Sequence, residues 1–172
     1  FHAVSNIADL LDKEGFKKLS ESETWDIKKG GKYYVCRNST SIAAVKIGKK
    51  LDTYSFNIAA SHSDSPNFKI KENAELSVRD KYIQLNTEGY GGMIASTWLD
   101  RPLSVAGRII VKNKNKYESR LVNIDRDLVL IPNLAIHMNR KVNEGIVLNK
   151  QIDMLPLFSA GGGKRDALKN LI

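Results

Sequence analysis

Apolar positions near the start of the chain recur at helical spacing. Between Ala3 and Leu11 they fall at Val4, Ile7, Ala8, Leu10 and Leu11, a stripe that predicts an amphipathic helix. Gly15 suits its C-terminal stop, because glycine takes the left-handed conformation without a Cβ clash. Glu21 to Asp26 is polar and reads as a loop anchored by Trp25. Gly30-Gly31 marks a turn. Lys32 to Asn38 and Ser41 to Ile47 predict two strands joined by a short polar turn, and Gly48 to Asp52 a second turn. Phe56 to Ala60 is nearly all apolar, the pattern of a strand in a sheet covered on both faces.

After Pro66 the texture changes. Short β-prone segments recur at Phe68 to Lys71, Leu76 to Val78, Lys81 to Leu85, Val105 to Lys112 and Tyr117 to Asn123, with turn residues between them. That rhythm predicts a small antiparallel barrel or sandwich. The boundary falls near residue 70, with an α/β segment over 1–70 and a β-rich segment over 71–172. Ala160 to Arg165 reads as a loop, and Asp166 as the cap of a helix that starts within the last seven residues. Such an ending leads us to expect a polypeptide that continues.

Composition narrows the class. A chain of 172 residues with 42% hydrophobic and 27% charged residues fits a soluble globular protein with a sizeable core. No apolar run approaches the ~18 residues that span a bilayer, so no membrane partner is expected. Cys36 is the only cysteine, which excludes a disulfide framework and favours a reducing, cytoplasmic location. The formal net charge of +8 is carried largely by Lys28-Lys29, Lys46 to Lys50 and the lysines of 111–116. Aromatic residues are not interleaved among them, so they read as solvated turns rather than a nucleic-acid surface.

Several chemistries are absent. Gly161-Gly-Gly-Lys164 is followed by Arg165 and lacks the upstream glycine of a phosphate loop. Gly89-Tyr-Gly-Gly92 lacks the third glycine of a dinucleotide fingerprint. There is no His-Glu-x-x-His helix and no Gly-x-Ser-x-Gly elbow. What remains is His62-Ser63-Asp64, just past the apolar run. A neutral imidazole at a strand's carboxyl end is a good zinc ligand. An Asp two residues on can accept the other ring N–H or bind a metal itself. The bland reading is a strand-end histidine and a turn-capping aspartate. His2 is terminal and reads as incidental. His137, in an apolar context, reads from the residues alone as a hydrogen-bonded structural histidine. His62 and Asp64 do not complete a hydrolytic site, which wants a bridging carboxylate, further ligands and a general base.

Four blocks in order change the odds: Ala60-Ser-His-Ser-Asp-Ser-Pro66, Tyr90 to Arg101, Leu103 to Lys112 and Ile131 to Arg140. Together they resemble the aspartyl aminopeptidase family of zinc metallopeptidases, over about Ala3 to residue 160. The resemblance implies an α/β fold: the N-terminal part of a phosphorylase/peptidase-like zinc aminopeptidase domain, followed by an inserted β-rich dimerisation domain. It implies two zinc ions per active site, with the bridging Asp, the general-base Glu and the other ligands lying after the insert. It implies a peptide substrate that loses its N-terminal residue, Asp or Glu by the family name, although relatives accept neutral or apolar ones. It implies a homo-oligomer, a dimer or larger, with large tetrahedral assemblies such as a dodecamer. His62 matches the first zinc ligand and Asp64 the aspartate that orients it. His137 matches a histidine that reaches into the neighbouring subunit's active site and donates a hydrogen bond to the scissile carbonyl oxygen. Asp100-Arg101, Trp98 and Gly91-Gly92 read as packing and turn geometry within the insert. Ser63 stands for a more usual Thr, Met93 for a third Gly, Pro102 for an acidic residue and Asn133 for a frequent His. As an isolated polypeptide the chain is expected to be inactive. The rival readings are a basic β-rich nucleic-acid-binding module and a non-catalytic homologue.

Overall fold

The computed structural model describes residues 1–52, 55–162 and 166–172. In chain order the elements are helix α1 (His2–Lys13), strands β1 (Lys17–Lys18), β2 (Lys32–Arg37), β3 (Ser41–Lys46), β4 (Asn67–Val78), β5 (Tyr82–Tyr90), β6 (Pro102–Leu103), β7 (Ala106–Asn113), β8 (Lys116–Asn123), β9 (Val129–Leu130) and β10 (Leu157–Ala160), and helix α2 (Ala167–Leu171). They divide into two compact units. The first is Phe1–Asp64 with Gly107–Leu121; the second is Ser65–Ala106 with Val122–Ile172.

In the first unit, the apolar stripe of the N-terminus forms α1. Gly15 ends it at φ +77. The N–H of Phe16 reaches Leu11 O at 2.9 Å and that of Gly15 reaches Asp12 O at 3.0 Å, the paired bonds that close a helix on a left-handed glycine. β2 and β3 form the predicted hairpin, paired from Lys32↔Lys46 to Arg37↔Ser41, and β1 joins β2 in parallel. Val4, Tyr33 and Tyr34 are buried. The hairpin β7–β8 belongs to this unit over Gly107–Leu121, where Arg108 lies 4.1 Å over the Phe1 ring and donates to Asn38 O at 3.2 Å.

Tyr34 gives this core a pH response. Its hydroxyl donates to Asp12 Oδ1 at 2.8 Å. Burial, then the hydrogen bond and charge of Asp12, push the phenol up to about 12 from the ordinary value near 10. A folded-state pKa above the unfolded one means the neutral phenol stabilises the fold below pH ~10, and that this contribution is lost as pH rises through about 12. In a tyrosinate absorbance titration, one step should appear near pH 12 and be missing in Tyr34→Phe. A Tyr34→Phe curve that overlays the wild type would contradict this.

The second unit is a five-stranded antiparallel sheet in the order β4-β5-β10-β9-β6, an open arrangement where the sequence predicts a barrel or sandwich. Phe68 to Lys71 and Leu76 to Val78 are not separate strands. Both lie in β4, whose register on β5 shifts between Ile70 and Glu75. Leu85, Val129 and Leu168 form the core, packed by Ile70, Ala74, Leu103, Val105, Leu128 and Phe158.

Three further expectations are corrected. Phe56–Ala60 is in no strand, and Phe56 and Ile58 are 80% and 85% exposed. Its apolar pattern supplies a face to bury, but no strand among the described residues pairs with it. Trp25 is 45% exposed and no buried anchor; its indole N–H is tethered to Ser20 O at 2.7 Å. Asp166 occupies the cap position of α2 but makes no capping bond with its side chain. Glu75 Oε1 accepts the Leu168 N–H instead, at 2.6 Å from 93 residues away. Gly163, Lys164 and Arg165, part of the predicted loop, lie outside the described residues. No helix among the described residues is long and apolar enough to cross a membrane.

Candidate functional site

His62 lies in the first unit, on the irregular segment that follows the exposed apolar run. Ser63 tethers this segment to the β2–β3 turn, its hydroxyl donating to Thr40 O at 3.3 Å. His62 Nδ1 faces two oxygens of Asp64: the backbone carbonyl at 2.9 Å and carboxylate Oδ1 at 3.1 Å. Both are acceptors, so Nδ1 must carry the proton and donate. In the neutral ring that leaves the lone pair on Nε2. The His62 side chain is 82% exposed and that of Asp64 55%, so the ring is not packed away.

The donor chemistry fits a divalent zinc ion. A neutral imidazole offering Nε2, with its other nitrogen bonded to an oxygen that fixes tautomer and orientation, is the usual form of a zinc-binding histidine. Among the described residues no group of three or more His, Cys, Asp or Glu could hold a metal ion.

His137 lies in the second unit, in the segment between β9 and β10. From the residues alone it reads as a hydrogen-bonded structural histidine; His137 is exposed, as are Leu134, Ile136 and Met138 beside it. The turn that carries it is closed by Met138 N–H to Ala135 O at 2.8 Å and Asn139 N–H to Ile136 O at 3.2 Å. The start of the segment is held by Asp100, a residue that the sequence assigns to packing and turn geometry. Its carboxylate Oδ1 accepts the Asn133 N–H at 2.9 Å. The only sequence signal was an aspartate ahead of Arg101-Pro102, which names no partner. The lysines of 28–29, 46–50 and 112–116 are exposed, and Lys28 pairs with Asp26 at 3.2 Å.

Comparisons with known proteins agree with the ordered blocks. The family model described as Aminopeptidase I zinc metalloprotease (M18) matches residues 1–170. The chain is 51% identical over 161 residues to the probable M18 family aminopeptidase 2 of Clostridium novyi, covering 92% of this chain and 37% of that protein. Among solved structures it is similar to a chain of the cryo-EM structure of the Ape4 and Nbr1 complex, with 38% identity, TM-score 0.88, and coverage of 96% of this chain and 32% of the other. It is also similar to the mApe1 dodecamer of S. cerevisiae, with 30% identity, TM-score 0.67, and coverage of 98% and 36%. The chain thus spans about 37% of the length of the curated relatives it matches.

Proposed function

Because the chain belongs to the Aminopeptidase I zinc metalloprotease (M18) family, we propose that it forms the N-terminal part of a zinc-dependent aminopeptidase, inactive alone, that releases the N-terminal residue of peptides, Asp and Glu among them. The observation that carries the site is the His62 ring: exposed, with Nδ1–H held by Asp64 and Nε2 left to bind a metal. Two zinc ions, once bound, would supply Lewis acidity toward the scissile carbonyl and water. His62 serves as one ligand. Asp64 holds its ring. His137 of a partner subunit donates a hydrogen bond to the carbonyl oxygen as negative charge develops there. Its exposure, beside exposed Leu134, Ile136 and Met138, supports a role against another surface.

In this reading residues 1–70 belong to a phosphorylase/peptidase-like catalytic α/β domain and residues 71–172 to an inserted dimerisation domain. The protein works as a homo-oligomer, a dimer at least and a dodecamer like the S. cerevisiae relative, and it acts in the cytoplasm.

The full-length protein is expected to release the first residue from short peptides, to stop when a chelator removes the metal and to recover with added zinc. Peptides beginning with Asp or Glu, compared with Leu or Ala, measure the side-chain preference. A folded, zinc-loaded protein that cleaves none of them would be a non-catalytic homologue. Zinc-independent, salt-sensitive RNA binding in its place would favour the basic module.

A further inference from the structure

We infer that Asp100 is a positioning residue for His137; the inference rests on the reading of His137 as a donor to the substrate. Asp100 has left-handed backbone geometry, φ 54, which Asp and Asn tolerate better than other side chains that carry a Cβ. In that conformation it grips a distant strand end on both sides of Pro132. Its N–H donates to Ile131 O at 2.9 Å, and its Oδ1 accepts the Asn133 N–H at 2.9 Å. Pro132 between them has no N–H to offer.

Both ends of this grip are well founded. Ile131 is fully buried and bridges Leu99 in parallel. On the other side, a single turn of 3-10 helix over Ala95–Trp98 leads into Asp100. Trp98 stands edge-on to Phe68 with ring centroids 5.1 Å apart. Arg101 reaches back to Thr97 O at 3.4 Å.

From Asn133 the hydrogen bonds run on toward the histidine. Asn133 Oδ1 accepts the Leu134 N–H at 2.9 Å, and the next two bonds close the turn over Ala135–Asn139 that contains His137. Beyond the backbone itself, the Asp100 carboxylate is the side-chain contact that fixes where the segment leading to the His137 turn leaves the end of β9. A hydrogen bond to a charged acceptor is stronger than a neutral one, and a donor displaced by ~1 Å loses much of its catalytic effect.

The test uses the full-length enzyme and a 2×2 set of variants. Asp100→Gly removes the carboxylate while keeping the left-handed backbone accessible. Asp100→Asn keeps an acceptor oxygen in place. Asp100→Gly should lower kcat about tenfold with KM within about twofold, and Asp100→Asn should restore kcat to within about twofold of wild type. In a His137→Ala background, Asp100→Gly should change kcat by less than about twofold, because the group it positions is gone. Amide hydrogen exchange at Asn133 and Leu134 should quicken about tenfold in Asp100→Gly. Should that variant not assemble, Asp100→Ala must meet the same pattern. Wild-type kcat in Asp100→Gly, or an undiminished tenfold loss in the His137→Ala background, overturns the inference. If His137→Ala alone leaves kcat unchanged, the donor reading itself falls, and the positioning of that donor with it.

Discussion

His62→Ala in the full-length protein is expected to abolish peptidase activity and to strip zinc from the site, with the fold intact by circular dichroism. Removing a ligand takes away a coordinate bond. The loss in metal affinity should therefore exceed the ~10–100-fold that follows when only the partner behind a ligand is lost. Asp64 supplies the internal comparison. His62 Nδ1 has two acceptors there, and the backbone carbonyl at 2.9 Å is the nearer. Asp64→Ala removes only the carboxylate, so its effect should sit near the lower end of that range, about tenfold in zinc affinity. Zinc content measured by atomic emission on the purified variants checks both. Full zinc occupancy in His62→Ala would refute its role as a ligand.

The second large effect is expected at His137. His137→Ala should lower kcat by ~10²–10³-fold, the usual cost of removing one preorganised donor at a developing oxyanion, while zinc content stays at the wild-type level. Zinc content separates this variant from His62→Ala. If the histidine acts across a subunit boundary, mixing His137→Ala subunits with His62→Ala subunits should recover activity. In random two-fold dimers from an equal mixture, about a quarter of sites combine an intact His62 with an intact partner-subunit His137. No recovery after verified exchange of subunits would confine His137 to its own protomer, and an unchanged kcat in the single variant would remove it from the reaction.

Local features were legible where one stretch of chain settles its own structure. The spacing of Val4, Ile7, Ala8 and Leu11 gave α1, and Gly15 gave its end, because a helix face and its cap are decided within a dozen residues. The β2–β3 hairpin followed from two short runs and a polar turn between them. Features that depend on a distant partner were not legible. Phe56–Ala60 has the composition of a covered strand, but composition cannot say which strand lies alongside. Asp166 looked like the cap of α2, yet the carboxylate that accepts from the helix's first turn is that of Glu75, on a distant strand.

The candidate site divides in the same way. His62 and Asp64 are two residues apart, so their hydrogen bond is a local matter and could be anticipated. The contact between Asp100 and Asn133 spans 33 residues, and nothing in either segment names the other. The exposure of His137 also ran against its apolar surroundings, which describe a segment's need for burial without saying whether its own chain provides it.

The interleaving of the two compact units has a consequence for biosynthesis. The chain leaves the first unit after Asp64 and returns to it for Gly107–Leu121. During translation, residues 1–64 are made before the hairpin that completes their unit. Throughout that interval Phe1 and Asn38 lack Arg108, the residue that meets them both. No single cut in the gene frees one unit whole from the other, and until Gly107–Leu121 is made the incomplete first unit is open to aggregation.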